Sequence, residues 1–111
     1  MTDPRLTEKD FARAVVDLAK RHGWAVYFTW YRASVNEKRQ GYQVSGFPDL
    51  VLVRGATKER QARLLFVELK LDGKQPTATQ REWLELLGAV HGVGVFLWRP
   101  SDWATIVEVL R

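Results

Sequence analysis

The sequence contains no cysteine, which excludes disulfide bonds and thiolate zinc sites. It also lacks any apolar run approaching the roughly 20 residues that a helix needs to span a bilayer. The first residues, Met1 to Pro4, have neither the basic flank nor the apolar stretch of a secretory signal. From these absences we expect a protein that is not secreted and that works in the cytoplasm.

The length and the charge of the chain indicate how many domains it forms and which class of partner it favours. At 111 residues the chain has the usual size of one compact domain, and we expect a single domain over residues 1–111. Seventeen Lys and Arg against 13 Asp and Glu give a net charge of +4. A basic balance favours polyanionic partners, nucleic acid first, because neutralised phosphates release their counterions. Charge alone does not decide the matter, since many basic domains bind no nucleic acid.

Capping residues and apolar periodicity predict a mixed α/β domain, with elements in the order αβββαβα and a small sheet covered by helices. Thr7, with Asp10 three positions later, begins a helix of about 15 residues that Gly23 ends. An aromatic strand at 24–30 is expected to belong to the core, and a long polar loop follows at 31–47. The other predicted elements are strands at 50–54, 64–71 and 93–98, a helix at about 77–90, and a short helix capped by Ser101.

Charged residues interrupt two strands that are otherwise apolar. Glu68 and Lys70 are two positions apart, so both side chains leave the same face of their strand. If the hairpin is symmetric about its connection, Asp49 pairs with Glu68 and the two carboxylates lie about 5 Å apart. Like charges in direct opposition destabilise a sheet, and a divalent cation is the simplest compensation. With no His or Cys nearby, the ligands are hard oxygens, which favour Mg²⁺ or Mn²⁺.

These segments resemble a known nuclease signature. Gly46-Phe-Pro-Asp-Leu50 followed by Val67-Glu-Leu-Lys70 is similar to the PD-(D/E)xK motif of restriction-endonuclease-like nucleases. With a leading helical acid and a Gln that opens the next helix, the pattern resembles the virus-type replication-repair nuclease (VRR-Nuc) family. The resemblance extends from about residue 7 to the C-terminus. It implies a restriction-endonuclease-like core and a metal-dependent DNA nuclease.

Carried over to this chain, the resemblance implies a role for each residue of the motif. Asp49, Glu68 and the backbone carbonyl of Leu69 would hold the metal, and Lys70 would position or help to deprotonate the attacking water. The physical chemistry agrees, because a metal lowers the pKa of bound water and an ammonium group stabilises the charge that develops on phosphate.

Two further residues of the family pattern have more than one interpretation. The leading acid is Glu8 or Asp10; Glu8 shares a helix face with Phe11 and so points to the sheet. It also suits the positive end of the helix dipole without any catalytic role. Gln80 is the third helical residue after Thr77 and can close a capping box, while the resemblance makes it an active-site residue. These two roles for Gln80 are compatible.

The basic residues nearest in sequence to the predicted centre are candidates for DNA contacts. Arg32, Lys38 and Arg39 lie in the loop that leads to Asp49, and Lys74 follows the Glu68 strand. Each can equally be an ordinary solvated surface charge. No recognition helix or zinc module is evident, so we expect little sequence preference.

The resemblance also implies structure-specific cleavage of branched or repair DNA and an origin in a virus, phage or prophage, placing the protein in the cytoplasm of a bacterium or of an infected host. Because one centre cuts one strand and junctions need paired nicks, we expect a homodimer. Its interface is predicted at Trp103 and the last helix, or at the aromatic strand 24–30.

Two other classes of function remain to be weighed. The first is a nucleic-acid-binding module that keeps the fold and has lost catalysis; the complete set of Asp49, Glu68 and Lys70 argues against it. The second is a purely structural protein, which would leave Glu68 and Lys70 unexplained in an apolar strand.

Overall fold

The computed structural model describes residues 5–29 and 45–111, and this part of the chain has the element order αβββαβα that the sequence predicts. The elements are α1 (Glu8–Arg21), β1 (Ala25–Phe28), β2 (Leu50–Arg54), β3 (Arg63–Leu69), α2 (Ala78–Gly88), β4 (Val93–Trp98) and α3 (Trp103–Leu110), with a 3₁₀ turn at Pro100–Asp102. In these residues no helix is long and apolar enough to cross a membrane.

The four strands form one mixed sheet in the order β1-β2-β3-β4. The first three strands are antiparallel neighbours, whereas β4 runs parallel to β3. A parallel pair needs a crossover connection, and α2 supplies it. The predicted hairpin register is confirmed, because Val51 pairs with Phe66 and Val53 pairs with Leu64.

Strand alternation separates the two faces of the sheet. Leu65, Val67 and Leu69 are buried on one face, in a core that also includes Phe11 of α1 and Ile106 of α3. The opposite face contains Phe66 and Glu68, and α2 packs there through an edge-on contact between aromatic rings. The sheet therefore lies between two helices on one side and a single helix on the other.

Arg54 joins the ends of α1 and α3 to the sheet. Its guanidinium lies 4.3 Å from the centre of the Trp24 ring and donates to the carbonyls of His22, at 3.2 Å, and Leu110, at 3.1 Å. The last carbonyls of a helix have no partner within the helix, so a buried cation satisfies them well. Burial is the first cause that lowers the pKa of Arg54, and the charges of Arg60 and Arg63 lower it further.

Two expectations from the sequence are wrong. Trp24 is buried as expected, but Tyr27 is 66% exposed and Phe28 is also exposed, because β1 is an edge strand of only four residues. Ser101 does not cap the last helix. The Asp102 carboxylate instead accepts from the Arg99 N–H at 2.9 Å and closes the 3₁₀ turn that precedes α3. Most of the predicted 31–47 loop lies outside the described residues.

Candidate active site

The hydrogen-bond ladder between β2 and β3 changes at a proline. In the observed register Leu50 pairs with Val67, so the next hydrogen-bonded pair would be Pro48 with Leu69. Proline has no N–H to donate to the Leu69 carbonyl. The Pro48 carbonyl is engaged elsewhere, since the Thr29 hydroxyl donates to it at 2.6 Å. A gap in the ladder therefore opens beside Leu69.

The side chain of Asp49 occupies this gap. Its Oδ2 accepts from the Leu69 N–H at 2.8 Å, while the Asp49 carbonyl accepts from the Thr29 N–H at 2.9 Å. In an antiparallel strand the N–H and the C=O of one residue point to the same neighbour. The Leu69 carbonyl is therefore directed to the side where Asp49 lies, and Asp49 is held by backbone contacts from both adjacent strands.

Continuing the register by one residue places Asp49 opposite Glu68 on the same face of the sheet. Asp49 is 6% exposed and Glu68 only 1%. Burial raises the pKa of Glu68 to about 8, with the charge of Asp49 as the next cause, while the charge of Lys70 acts in the opposite direction. Within the described residues neither carboxylate oxygen of Glu68 lies at regular hydrogen-bond distance from a donor, and Asp49 is the polar group that acts most strongly on this carboxyl. A buried carboxyl in this state is costly, and a cation would offset that cost.

The donors present fit a hard divalent cation. Two carboxylates and one backbone carbonyl are the oxygen ligands that Mg²⁺ and Mn²⁺ prefer, and such ions usually complete their shell with water. The two Glu68 oxygens would meet such an ion once the carboxyl has lost its proton. No group of three or more His, Asp or Glu side chains suited to a metal occurs in the described residues.

Neither candidate for the leading helical acid joins the two carboxylates in such a group. Glu8 is half-buried in the first turn of α1, the helix that covers the opposite face of the sheet. Asp10 is engaged in the capping box: its Oδ2 accepts from the Thr7 N–H at 3.2 Å, and this contact with Thr7 lowers the pKa of Asp10. Of the two acids, only Glu8 has a carboxylate that the cap does not use.

A close contact joins the first turn of α2 to the loop that precedes Asp49. Gly46 has φ +83°, and a Cβ there would lie 2.7–2.9 Å from Thr79 and from the Gln80 backbone nitrogen. Only glycine permits this approach of the loop to the first turn of α2. Phe47 fixes the same junction, since its ring packs edge-on against Trp83 with centroids 5.1 Å apart. In the sequence, the Gly of the G-x-P-D motif was the one signal of this contact, which was not predicted.

Gln80 lies at this junction and closes the predicted capping box. Its Oε1 accepts from the Thr77 N–H at 2.8 Å, and the Thr77 hydroxyl accepts from the Gln80 N–H at 3.2 Å. The amide nitrogen of the Gln80 side chain takes no part in the cap, so its two N–H donors remain for another partner.

The comparison with known families agrees with this geometry. A family model described as the VRR-NUC domain matches residues 4–102. The chain belongs to the VRR-NUC family. This is a nuclease family, so membership implies a DNA substrate. No curated protein and no solved structure matches this chain.

Of the four basic residues predicted to contact DNA, only Lys74 belongs to the part of this VRR-NUC domain that the structure describes. Arg32, Lys38 and Arg39 lie outside the described residues. Lys74 is exposed in the turn after β3, and its carbonyl accepts from the Arg99 guanidinium at 2.9 Å. Arg99, which the sequence analysis did not single out, therefore adds a second cation beside Lys74.

The contact at Gly46 predicts a specific loss of stability. Gly46→Ala adds both backbone strain and a clash with α2, whereas Gly73→Ala adds strain alone, because Gly73 has φ +83° and no atom within 4 Å of its Cβ position. We expect Gly46→Ala to lower the free energy of unfolding by about 1–3 kcal/mol more than Gly73→Ala, the usual cost of overpacking. Urea denaturation measures both variants. Equal losses would show that the contact with α2 imposes no constraint.

The buried Glu68 carboxyl predicts that the metal-free VRR-NUC domain loses stability as pH rises. The pKa is raised from 4.5 to about 8 on folding. Between these values the folded protein retains a proton that the unfolded chain has released, so the free energy of unfolding falls with increasing pH. Below pH 4.5 both states are protonated and the contribution is fully present. Above about pH 8 it is lost.

Glu68→Gln removes this titration and keeps the shape of the side chain. In EDTA, the Tm of the variant relative to wild type should therefore rise steadily between about pH 5 and pH 8.5. Glu82→Gln, an exposed position on α2, serves as the control and should follow wild type. A constant difference between Glu68→Gln and wild type across this range would contradict the prediction.

Proposed function

We propose that this chain is a Mg²⁺- or Mn²⁺-dependent DNA endonuclease whose active centre consists of Asp49, Glu68, the Leu69 carbonyl and Lys70. The observation on which the proposal rests is the Glu68 carboxyl, which is 1% exposed, lies beside Asp49 and has two oxygens without a hydrogen-bond partner in the described part of the chain. A purely structural domain would gain stability from an apolar residue at this position.

Asp49, Glu68 and the Leu69 carbonyl are the proposed metal ligands. A divalent cation held by these ligands would lower the pKa of a bound water molecule and would polarise the scissile phosphate. The Leu69 N–H, which donates to Asp49 at 2.8 Å, fixes that carboxylate before any ligand arrives. Such preorganisation reduces the cost of ordering the site when substrate binds.

Lys70 is the proposed catalytic cation. Its backbone N–H donates to the Trp98 carbonyl at 3.0 Å, so the neighbouring parallel strand fixes its Cα. The side chain leaves the same face as Glu68, where its ammonium group orients the attacking water and stabilises the negative charge on the phosphate oxygens.

Gln80 and Glu8 have proposed supporting roles. The free amide N–H groups of Gln80 donate to a phosphate oxygen or to the attacking water, while its oxygen continues to cap α2. The family pattern gives Glu8 a role as the helical acid of the centre, although α1 packs on the sheet face opposite Glu68. These roles rest on the family pattern, on the capping geometry and on the uncapped carboxylate of Glu8.

A single experiment tests the chemistry. Labelled duplex, flap and four-way-junction DNAs are incubated with Mg²⁺, Mn²⁺ or EDTA, and the products are resolved on a denaturing gel. Wild type should cleave with either metal and not in EDTA. We expect Lys70→Ala to lower the rate by about 10²–10⁴-fold, the usual contribution of such a group, with little change in DNA affinity.

Lys9→Ala, an exposed position on α1, is the matched control and should cleave like wild type. Cleavage by Lys70→Ala within about threefold of wild type, well below the expected loss, would remove Lys70 from the mechanism. Binding without cleavage by wild type in every metal would favour a nucleic-acid-binding module that has lost catalysis.

The proposed substrate is branched or repair DNA, held in part by Arg32, Lys38, Arg39 and Lys74. The proposed active species is a homodimer, because paired nicks at a junction need two centres and a two-fold axis supplies them symmetrically. Of the two interfaces predicted from the sequence, Trp103 and α3 suit this pairing better, because α3 packs on the sheet face opposite Glu68 and leaves the Glu68 face open to DNA.

Pairing and junction cleavage can be tested together. Light scattering at micromolar concentration should give a mass near twice the 12.8 kDa of one chain. A four-way junction labelled on opposite strands should then be cut symmetrically. A monomer that makes two symmetric cuts, or a dimer that cuts one strand, would separate oligomeric state from junction cleavage.

A further inference from the structure

The positive charge of the chain is concentrated far from the proposed active centre. Three segments, 20–22, 54–63 and 108–111, contain seven Lys or Arg and two Glu, a net charge of +5. The whole chain carries only +4, so the other 94 residues together carry −1. We call these three segments the basic pole. Its cations are Lys20, Arg21, Arg54, Lys58, Arg60, Arg63 and Arg111.

Hydrogen bonds bring the three segments together in space. Arg54 donates to the His22 carbonyl at 3.2 Å and to the Arg111 carbonyl at 3.3 Å, and so touches both other segments. Arg63 donates to the Val109 carbonyl at 3.4 Å. The cations therefore form one surface at the end of the sheet where the β2–β3 hairpin turns.

The charge of this surface is largely unneutralised. Within residues 5–29 and 45–111 the pole has a single ion pair, between Arg111 and Glu108. Lys58 and Arg60 are exposed on the hairpin and make no ion pair with another described residue. Clustered like charges oppose folding, and this cost is offset when a polyanion binds them. Arg54 is buried and engaged with backbone carbonyls, so the exposed cations are the ones available to a ligand.

The spacing between the pole and the carboxylates matches duplex DNA. From Asp49 to Arg54, the last residue of β2, the chain advances five residues, or about 17 Å at 3.3 Å per residue, and the exposed Lys58 and Arg60 follow in the connection beyond it. The same distance covers about five base pairs at 3.4 Å each, half a helical turn. Between the two ends, Tyr27 and Val53 lie on the Glu68 face and are 66% and 45% exposed, so no described helix covers this part of the sheet.

We propose that the basic pole binds the phosphate backbone of a DNA duplex at least about five base pairs from the phosphodiester that is cut. This inference rests on the proposed function for the position of the cut, but not for the binding itself. The pole adds a contact surface separate from the residues assigned to DNA binding on sequence grounds, and it predicts a minimum length for the duplex arm of a substrate.

The test compares two charge reversals of equal size in full-length protein. Lys58→Glu with Arg60→Glu alters the pole, and Lys9→Glu with Arg13→Glu alters exposed positions on α1. Fluorescence anisotropy in EDTA measures affinity for a labelled 20-base-pair duplex, so cleavage plays no part. We expect the pole variant to bind at least about tenfold more weakly and its salt slope to shrink by about 2, near 0.9 for each lost phosphate contact.

The α1 variant should bind DNA less than about threefold more weakly than wild type, because its substitutions change only the net charge of the protein. Arg21→Glu, in a different segment of the pole, should weaken binding in the same direction and so guards against a local defect of the hairpin. Equal losses in the pole and α1 variants would overturn the proposal, as would wild-type affinity in the pole variant.

Shortening the duplex arm tests the position of the contact. Below about five base pairs, wild type should bind a flap substrate as weakly as the pole variant does, and the pole variant should be insensitive to arm length. If shortening weakens both proteins by the same factor, the pole does not contact that arm. A failure of wild type to cleave any substrate would refute the proposed function and leave these binding comparisons valid.

Discussion

A missing N–H at Pro48 determines the arrangement of the site. Without a donor from Pro48, the β2–β3 ladder cannot continue to Leu69, and the Leu69 N–H donates to the Asp49 carboxylate instead. Thr29 satisfies the carbonyls of Pro48 and Asp49 from the other strand, so the interruption leaves few backbone groups unpaired. The interruption leaves several oxygen atoms close together at the end of this strand pair, and the arrangement of the other site residues depends on it.

The interrupted ladder also has an energetic consequence for the Glu68 carboxyl. Once Asp49 is held by backbone contacts, the carboxyl of Glu68 lies beside it at 1% exposure. Burial and the charge of Asp49 then raise the pKa of Glu68 to about 8, which means that the metal-free site retains a proton near neutral pH. The proposed cation would have to displace this proton, so its binding would exchange one positive charge for another.

The sequence predicted the features that depend on local pattern. Element order, the capping boxes at Thr7 and Thr77 and the register of the hairpin follow from periodicity and spacing within short segments. The exposure of Tyr27 could not be predicted in this way, because the pattern of a strand does not show whether a helix covers the second face of that strand. The contact between Gly46 and the first turn of α2 was missed for a related reason, since it joins residues about 33 positions apart that share no periodicity.

In this domain the cations that would attract DNA lie apart from the carboxylates of the proposed active centre. The proposed centre needs carboxylates, which repel phosphate, and the 94 residues outside the basic pole carry a net charge of −1. A surplus of cations at the far end of β2 would attract a polyanion without neutralising the carboxylates, which stay available to the proposed metal ion. At a separation of about 17 Å, roughly two Debye lengths at physiological salt, the pole has little direct effect on the ionisation of Glu68. On these proposals, DNA affinity and metal affinity would depend on different residues and could change independently of each other.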